Sequence, residues 1–390
     1  MLADKTRQWE EKRRRCQYNR SVLRSVEESQ EKRPTLMIMS YSLYGGGAER
    51  VASILASGFA KKYHVILLYI EEKINQYPLD PSVEKILMPS FGADTLEDYQ
   101  TWQKRYVRQV KRKKRVRISL SMMYQMNKWN VETKGHEIVI CAERNNPAKR
   151  EPEHMETIRK LYEKADHVVF QTAAVRDLFG AEVKAHSSIL PNPIEVSCMC
   201  TQESLRIVHA GRLNAQKDQE TLLRAFALFH RTHSAYTLDL YGDGEKREEL
   251  QQVADALGIG QSVLFHGNST EIHRDIKDAQ MFVLSSRYEG FSNALLECMM
   301  MGMACISTNC EGAREVIQNG INGLLVRIGD PEGLSCAMQQ LADDPLLRKK
   351  IAQNGQDTAK RFQKEAALEE WMQMLAKLEG EQKWKISGKS

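Results

Sequence analysis

Two carboxylates, Glu289 and Glu297, stand on either side of the seven residues Gly290-Phe291-Ser292-Asn293-Ala294-Leu295-Leu296. The apolar run Met281 to Leu284 ahead of them reads as a strand, and Ser292 and Asn293 are both good N-caps for a helix that follows a glycine turn. A strand that delivers a helix N-terminus presents unpaired backbone N–H groups and the positive end of the helix dipole, which suits a phosphate. Carboxylates suit hydroxyls instead. Acidic groups beside an anion cradle therefore point to a ligand with both phosphate and polyol parts, a nucleotide sugar, with Glu289, Gly290, Phe291, Ser292, Asn293 and Glu297 around it.

Cations that could meet the phosphates lie earlier in the chain. Leu205 to Leu213 reads as a strand running into Gly211, with Arg212 and Lys217 on the loop past its carboxyl end and a helix over Gln219 to His230. Open α/β sheets bind ligands at that edge, so this pair, facing the helix that starts near Ser292, would clamp a diphosphate from both sides. A second glycine loop, Gly45-Gly46-Gly47, follows the apolar run Leu36 to Met39. It precedes a helix with Val51, Ile54, Leu55 and Phe59 on one face. Gly46 and Gly47 would allow close approach of backbone to ligand. The spacing is not G-x-G-x-x-G, which argues against a dinucleotide cofactor and a dehydrogenase.

The elements that must position these groups alternate strand and helix in two series. Val65 to Ile70, Lys85 to Met88, Ile118 to Leu120, Glu137 to Cys141 and Asp166 to Thr172 read as further strands of a first domain, the last closing its sheet. Leu190-Pro191-Asn192-Pro193-Ile194 reads as a rigid linker. The second domain continues with strands at Thr237 to Tyr241, Ser262 to His266, Ala304 to Thr308 and Asn322 to Val326, then helices from Asp330 to near Leu378.

The chain of 390 residues is long enough for two domains, and 42% hydrophobic with 27% charged residues is an ordinary soluble composition. The longest apolar run, His64 to Ile70, is far short of the ~20 residues of a membrane span. Residues 1–33 form a charged extension without the core of a signal peptide. Their thin stripe of Trp9, Tyr18, Val22, Leu23 and Val26 leaves packing on the body, a membrane contact and a loose tail open. Eight scattered cysteines, none in a Cys-x-x-Cys pair, imply a reduced, cytoplasmic protein without a cysteine metal site. The net charge of +5 is unevenly placed: nine of the fourteen residues from Lys104 to Arg117 are basic. On a helix this segment, with Lys111, Arg112, Lys113 and Lys114 at its centre, suits an anionic lipid surface or a diphosphate-bearing acceptor. Nucleic acid and a plain solvated helix are the competing readings.

Glu289 and Glu297 with the residues between them resemble the E-x7-E element of retaining glycosyltransferases of family 4, the group 1 glycosyl transferases, which have the GT-B fold. Gly211-Arg212-Leu213 with Lys217-Asp218 is similar to the same family's Gly-Arg-Leu-x-x-x-Lys-Asp, and Glu311-Gly312-Ala313-Arg314-Glu315 also matches it. The resemblance implies two Rossmann-like domains facing across a cleft, at 34–195 for the acceptor and 196–364 for the donor, with 365–390 as a C-terminal helix returning to the first plus a basic tail. It implies Arg212 and Lys217 on the diphosphate, Glu289 on the donor sugar, Glu297 on the ribose and Ser269 near the base. Glu143, Arg144 and Asn145 fall where the family carries a Ser-Glu-His or Ser-Glu-Arg-Asn loop, with Arg144 in place of histidine. The implied reaction moves a hexose from a UDP-sugar to a glycan acceptor carried on a polyprenyl diphosphate, with retention, in polysaccharide assembly at the cytoplasmic face of the membrane. No Asp-x-Asp occurs, so no metal and no cofactor is expected, and nucleic acid is not an expected partner. A non-catalytic relative, or an epimerase or phosphorylase of the same fold, is the alternative.

Overall fold

In the computed structural model, which describes residues 2–44, 47–72, 77–144 and 151–387, the chain divides into two compact units. The first holds residues 1–190 and 368–390, the second residues 191–367. Runs such as Thr35–Ser40 and Ala279–Leu284 are apolar at nearly every position because both faces of a parallel strand are covered by helices.

The first unit carries β1 (Thr35–Ser40), β2 (His64–Tyr69), β3 (Glu84–Leu87), β4 (Val116–Met122), β5 (Ile138–Glu143), β6 (His167–Phe170) and β7 (Ser187–Ile189). They form a parallel sheet in the order β3-β2-β1-β4-β5-β6-β7. β7 is one strand more than the sequence suggests. Its three half-buried residues, two of them serine, carry no apolar signal, and pairing with β6 alone makes them a strand.

The second unit carries β8 (Ser204–Ala210), β9 (Thr237–Tyr241), β10 (Val263–Gly267), β11 (Ala279–Leu284), β12 (Ala304–Thr308) and β13 (Leu324–Val326). Its order, β10-β9-β8-β11-β12-β13, is the doubly wound one, and the direction of winding reverses between β8 and β11.

The N-terminal helix Leu2–Arg24 lies on the first unit. Asn19 is fully buried and grips Gly92 at two points, its amide donating to the carbonyl at 2.8 Å and accepting from the N–H at 3.1 Å, while Val26 enters the core beside Met37 and Ile66. Packing on the body is thus the outcome for this stretch. The last helix runs Lys364–Ser387, past the expected end near Leu378.

The basic segment needs correction. The helix is Leu96–Lys113. A turn follows in which Arg115 takes φ 51°, and Val116 and Arg117 already belong to β4. Lys111 and Lys114 are buried, paired to Glu137 at 2.7 Å and Glu84 at 2.7 Å. Lys113 reaches Glu28 at 2.5 Å and Lys104 reaches Glu132 at 3.1 Å. These four of the nine basic residues are therefore tied down by carboxylates that are distant in sequence. The exposed basic side chains are Arg105, Arg108, Arg112 and Arg115.

Trp371 of the last helix is fully buried in the core of the first unit, 6.3 Å from the Phe59 ring, with Met374 and Leu375 beside it. Trp371→Ala should destabilise this unit by about 3–5 kcal/mol, read as a lower urea midpoint of its unfolding transition.

Candidate functional site

The loops after β8 and β11 leave the sheet at the reversal point and are stitched to each other. The Arg287 N–H donates to the Gln216 carbonyl at 2.8 Å and the Gln216 amide to the Tyr288 carbonyl at 3.0 Å. The Ser285 hydroxyl donates to the Lys217 carbonyl at 2.8 Å, and Arg287 pairs with Asp218 at 3.1 Å. The two cations and the first glutamate singled out from the sequence are held on this double loop.

Lys217 Nζ lies 2.6 Å from Glu289 Oε1, and the buried Ser286 hydroxyl donates to the same oxygen at 2.6 Å. Glu289 is nearly buried while Arg212 is exposed and, among the described residues, has no ion-pair partner. Lys217 thus neutralises Glu289. Beneath the loop, His209 is fully buried on β8. Its Nδ1–H donates to the Val283 carbonyl at 2.9 Å, which leaves Nε2 to accept from the Gln219 amide at 3.2 Å; that amide also donates to the Arg212 carbonyl at 2.9 Å. Burial first, and the charge of Lys217 after it, push His209 down to about 4 against the backbone hydrogen bond that favours its cation.

The helix Asn293–Met300 starts as expected: Ser292 is the N-cap and its hydroxyl accepts from the Leu295 N–H at 3.4 Å. Asn293 accepts from the Asn192 amide at 2.5 Å, and Phe291 packs edge-on against Phe362 at 5.4 Å. The turn at Gly290 is backed by Gly312, whose N–H donates to the Glu289 carbonyl at 3.2 Å. A Cβ on Gly312 would stand 2.8 Å from the Gly290 carbonyl oxygen, so only glycine lets the loops meet.

Glu297 is nearly buried, and His273 Nε2 sits 3.1 Å from its Oε2. The Ser197 N–H donates to His273 Nδ1 at 3.2 Å, which fixes the tautomer with its proton on Nε2, aimed at the carboxylate. Ser269 lies at the rim of an open depression of about 590 Å³ at the ends of β9 and β10, lined by Tyr241, His266, Asn268, Thr270, Glu271 and Asp275. Its hydroxyl donates to Asp275 at 2.5 Å. The rings of Tyr241 and His266 stack at 4.4 Å beside it.

In the first unit, Glu143 closes β5 and is fully buried, accepting from the Tyr162 hydroxyl at 2.7 Å. Arg144 is also buried, 5.3 Å over the Trp371 ring. Burial lowers it to about 9, against the attraction of Glu143, so it stays a cation at neutral pH. Gly47 begins the helix Gly47–Phe59, while Gly46 and Asn145 lie outside the described residues. Sequence reasoning missed Ser286, His209, Gln219 and His273. His209 meets Val283 and His273 meets Glu297 across distant stretches of sequence, Ser286 and Gln219 act as polar supports that no motif spacing marks, and only the Glu311-Gly312 match hinted at the backing of the turn.

Residues 201–358 match the family described as Glycosyl transferases group 1. The second unit is a group 1 glycosyltransferase domain. Lipopolysaccharide core biosynthesis glycosyltransferase LpsE of Rhizobium meliloti is 35% identical over 171 residues, 44% of this chain and 49% of that one. Matches to the first relatives thus span about half of their length. A Campylobacter jejuni protein named GalNAc-alpha-(1->4)-GalNAc-alpha-(1->3)-diNAcBac-PP-undecaprenol alpha-1,4-N-acetyl-D-galactosaminyltransferase is 26% identical over 86% of this chain and 97% of its own. The solved structure of Anabaena Alr3699/HepE in complex with UDP and glucose matches with a TM-score of 0.75 at 17% identity, over 87% of this chain and 99% of that one. The group 1 domain and its companion unit thus have the two Rossmann-like folds of the GT-B class.

The neutral His209 gives a sign to the pH dependence of this domain. Its folded value near 4 lies below the ordinary 6.5, so the stability it contributes is complete above 6.5 and is lost as pH falls towards 4. Thermal melts should therefore drop less between pH 7 and 4.5 in His209→Gln than in the wild type.

Proposed function

We propose that this protein transfers a hexose from a UDP-sugar to a hydroxyl of a glycan carried on a polyprenyl diphosphate, with retention and without a metal ion. The observation that carries this reading is the Lys217–Glu289 pair on the stitched loops, next to a helix N-terminus capped by Ser292. Arg212, Lys217 and the first N–H groups of that helix would take the charge that develops on the departing diphosphate. The ion pair and the Ser286 hydroxyl both engage Oε1 of Glu289, which leaves Oε2 to the hydroxyls of the donor sugar. Glu297, aimed by His273, would hold the ribose, and the depression at Ser269 would receive the base. The bond from the anomeric carbon to the diphosphate oxygen breaks as the acceptor oxygen bonds to that carbon on the same face, and the acceptor proton passes to the diphosphate.

The acceptor class draws support from the Campylobacter relative, whose name specifies a PP-undecaprenol saccharide. Among the described residues no helix is long and apolar enough to cross a membrane, so a lipid-linked acceptor would be met by adhesion. The exposed Arg105, Arg108, Arg112 and Arg115 are the surface for it, each worth ~1 kcal/mol near anionic lipid.

Two measurements test these assignments. Arg212→Ala should lower kcat by ~10²-fold or more with an unchanged melting temperature. Lys217→Ala should lower it similarly and also cost stability, because it strands the nearly buried Glu289. Transfer that persists in both variants, or that ceases in EDTA, removes the metal-free clamp. In sedimentation with phosphatidylglycerol vesicles at low salt, wild type should pellet and the Gln variant of Arg105, Arg108, Arg112 and Arg115 should stay in solution. Equal pelleting would discard the arginine surface.

A further inference from the structure

The first unit contains a run of buried polar side chains linked by hydrogen bonds. Lys111 Nζ donates to Asn130 Oδ1 at 2.8 Å, Asn130 Nδ2 to the Ser121 hydroxyl at 3.0 Å, and that hydroxyl to Asn127 Oδ1 at 2.8 Å. Asn127 Nδ2 then donates to the Tyr162 hydroxyl at 2.9 Å, and the Tyr162 hydroxyl to Glu143 Oε2 at 2.7 Å. Ser121, Asn127, Asn130, Tyr162 and Glu143 are all 0% exposed and Lys111 is 5% exposed.

All five bonds point the same way, and the chemistry of the groups leaves no other choice. An ammonium only donates and a carboxylate only accepts, so both ends of the chain are fixed. The two amides are fixed as well. Asn130 Nδ2 also faces the carbonyls of Ser119 at 3.0 Å and Ile140 at 3.3 Å, and Asn127 Nδ2 faces that of Ala142 at 3.1 Å; a carbonyl can meet only the NH2 side of an amide. The Ser121 hydroxyl, given a proton from Asn130, has its own for the oxygen of Asn127 at 2.8 Å in preference to the Ile140 carbonyl at 3.4 Å. Five aligned donors polarise one another towards Glu143.

Stability alone is a weak reason for the arrangement, because replacing buried charged groups with well-packed apolar ones of similar volume is often neutral or stabilising. What the chain delivers is a carboxylate fixed at the carboxyl end of β5, next in sequence to the buried cation Arg144. We propose that Lys111, Asn130, Ser121, Asn127 and Tyr162 are positioning residues that hold Glu143, and through it Arg144, where the diphosphate-linked acceptor binds. This rests on the glycosyl-transfer reading above. Among the described residues, the charged and titratable groups that face Glu143 include Arg144, Tyr162 and Cys141, and those that face Lys111 include Glu137, Arg108 and Cys141.

The test uses two variants of the full chain, Tyr162→Phe and the pair Lys111→Met with Glu137→Met, which leaves no lone buried charge. The carboxylate stretch of Glu143 is assigned by isotope-edited infrared difference against Glu143→Gln. It should shift in the same sense in both variants, and less in the remote pair. Binding of a short-chain prenyl diphosphate disaccharide, by calorimetry, should weaken and its KM should rise by up to about 10²-fold, the effect of a roughly 1 Å misplacement, while UDP affinity and the donor KM stay unchanged. An unmoved band in both variants overturns the relay, and a moved band with unchanged disaccharide binding overturns its role at the acceptor. A wild type that binds the disaccharide but transfers no sugar sinks the transfer reading alone.

Discussion

The second unit depends on the meeting of two loops at the point where its sheet reverses direction. Lys217 and Glu289 come from strands adjacent in the sheet and far apart in sequence, and their 2.6 Å contact joins a cation that suits phosphate to an anion that suits hydroxyls. Neither charge is well solvated there, so each needs the other. The surroundings serve that contact: Ser286 takes up the same carboxylate oxygen, Gly312 lets the chain behind it approach, and the neutral His209 fills the space beneath without adding a second cation.

Much of this was legible in the sequence, for a physical reason. A strand that ends in a glycine turn before a capped helix leaves a local signature, and the residues that face a ligand at such an end are close in sequence to the turn. The Ser292 cap and the places of Arg212, Lys217 and Glu289 on the loops past two strands were legible in this way. The supporting groups were not, because His273 reaches Glu297 from another helix and Gln219 reaches His209 from another element, and no spacing rule records that.

The basic segment failed for the complementary reason. Counting charge between Lys104 and Arg117 assumes that like residues share one solvated face, yet the helix turns Lys111 inward and the chain bends at Arg115. Burial of Lys111 and Lys114 became affordable only because Glu137 and Glu84 arrive from elsewhere in the sheet. The four arginines left outside are a smaller surface than the composition suggests, and a more regular one.

The placement of Trp371 has a consequence for how the molecule is made. The first unit is discontinuous: its sheet is complete by β7, but the core that covers Phe59 waits for residues that follow the entire second unit. During synthesis, residues 1–190 would therefore emerge with an uncovered apolar face, and the continuous stretch 191–367 would be the first to finish folding. The last helix then acts as the closing piece of the part that was synthesised first. A chain cut short before Trp371 would carry one finished unit and one adhesive one, so the helix Lys364–Ser387 decides the solubility of residues 1–190.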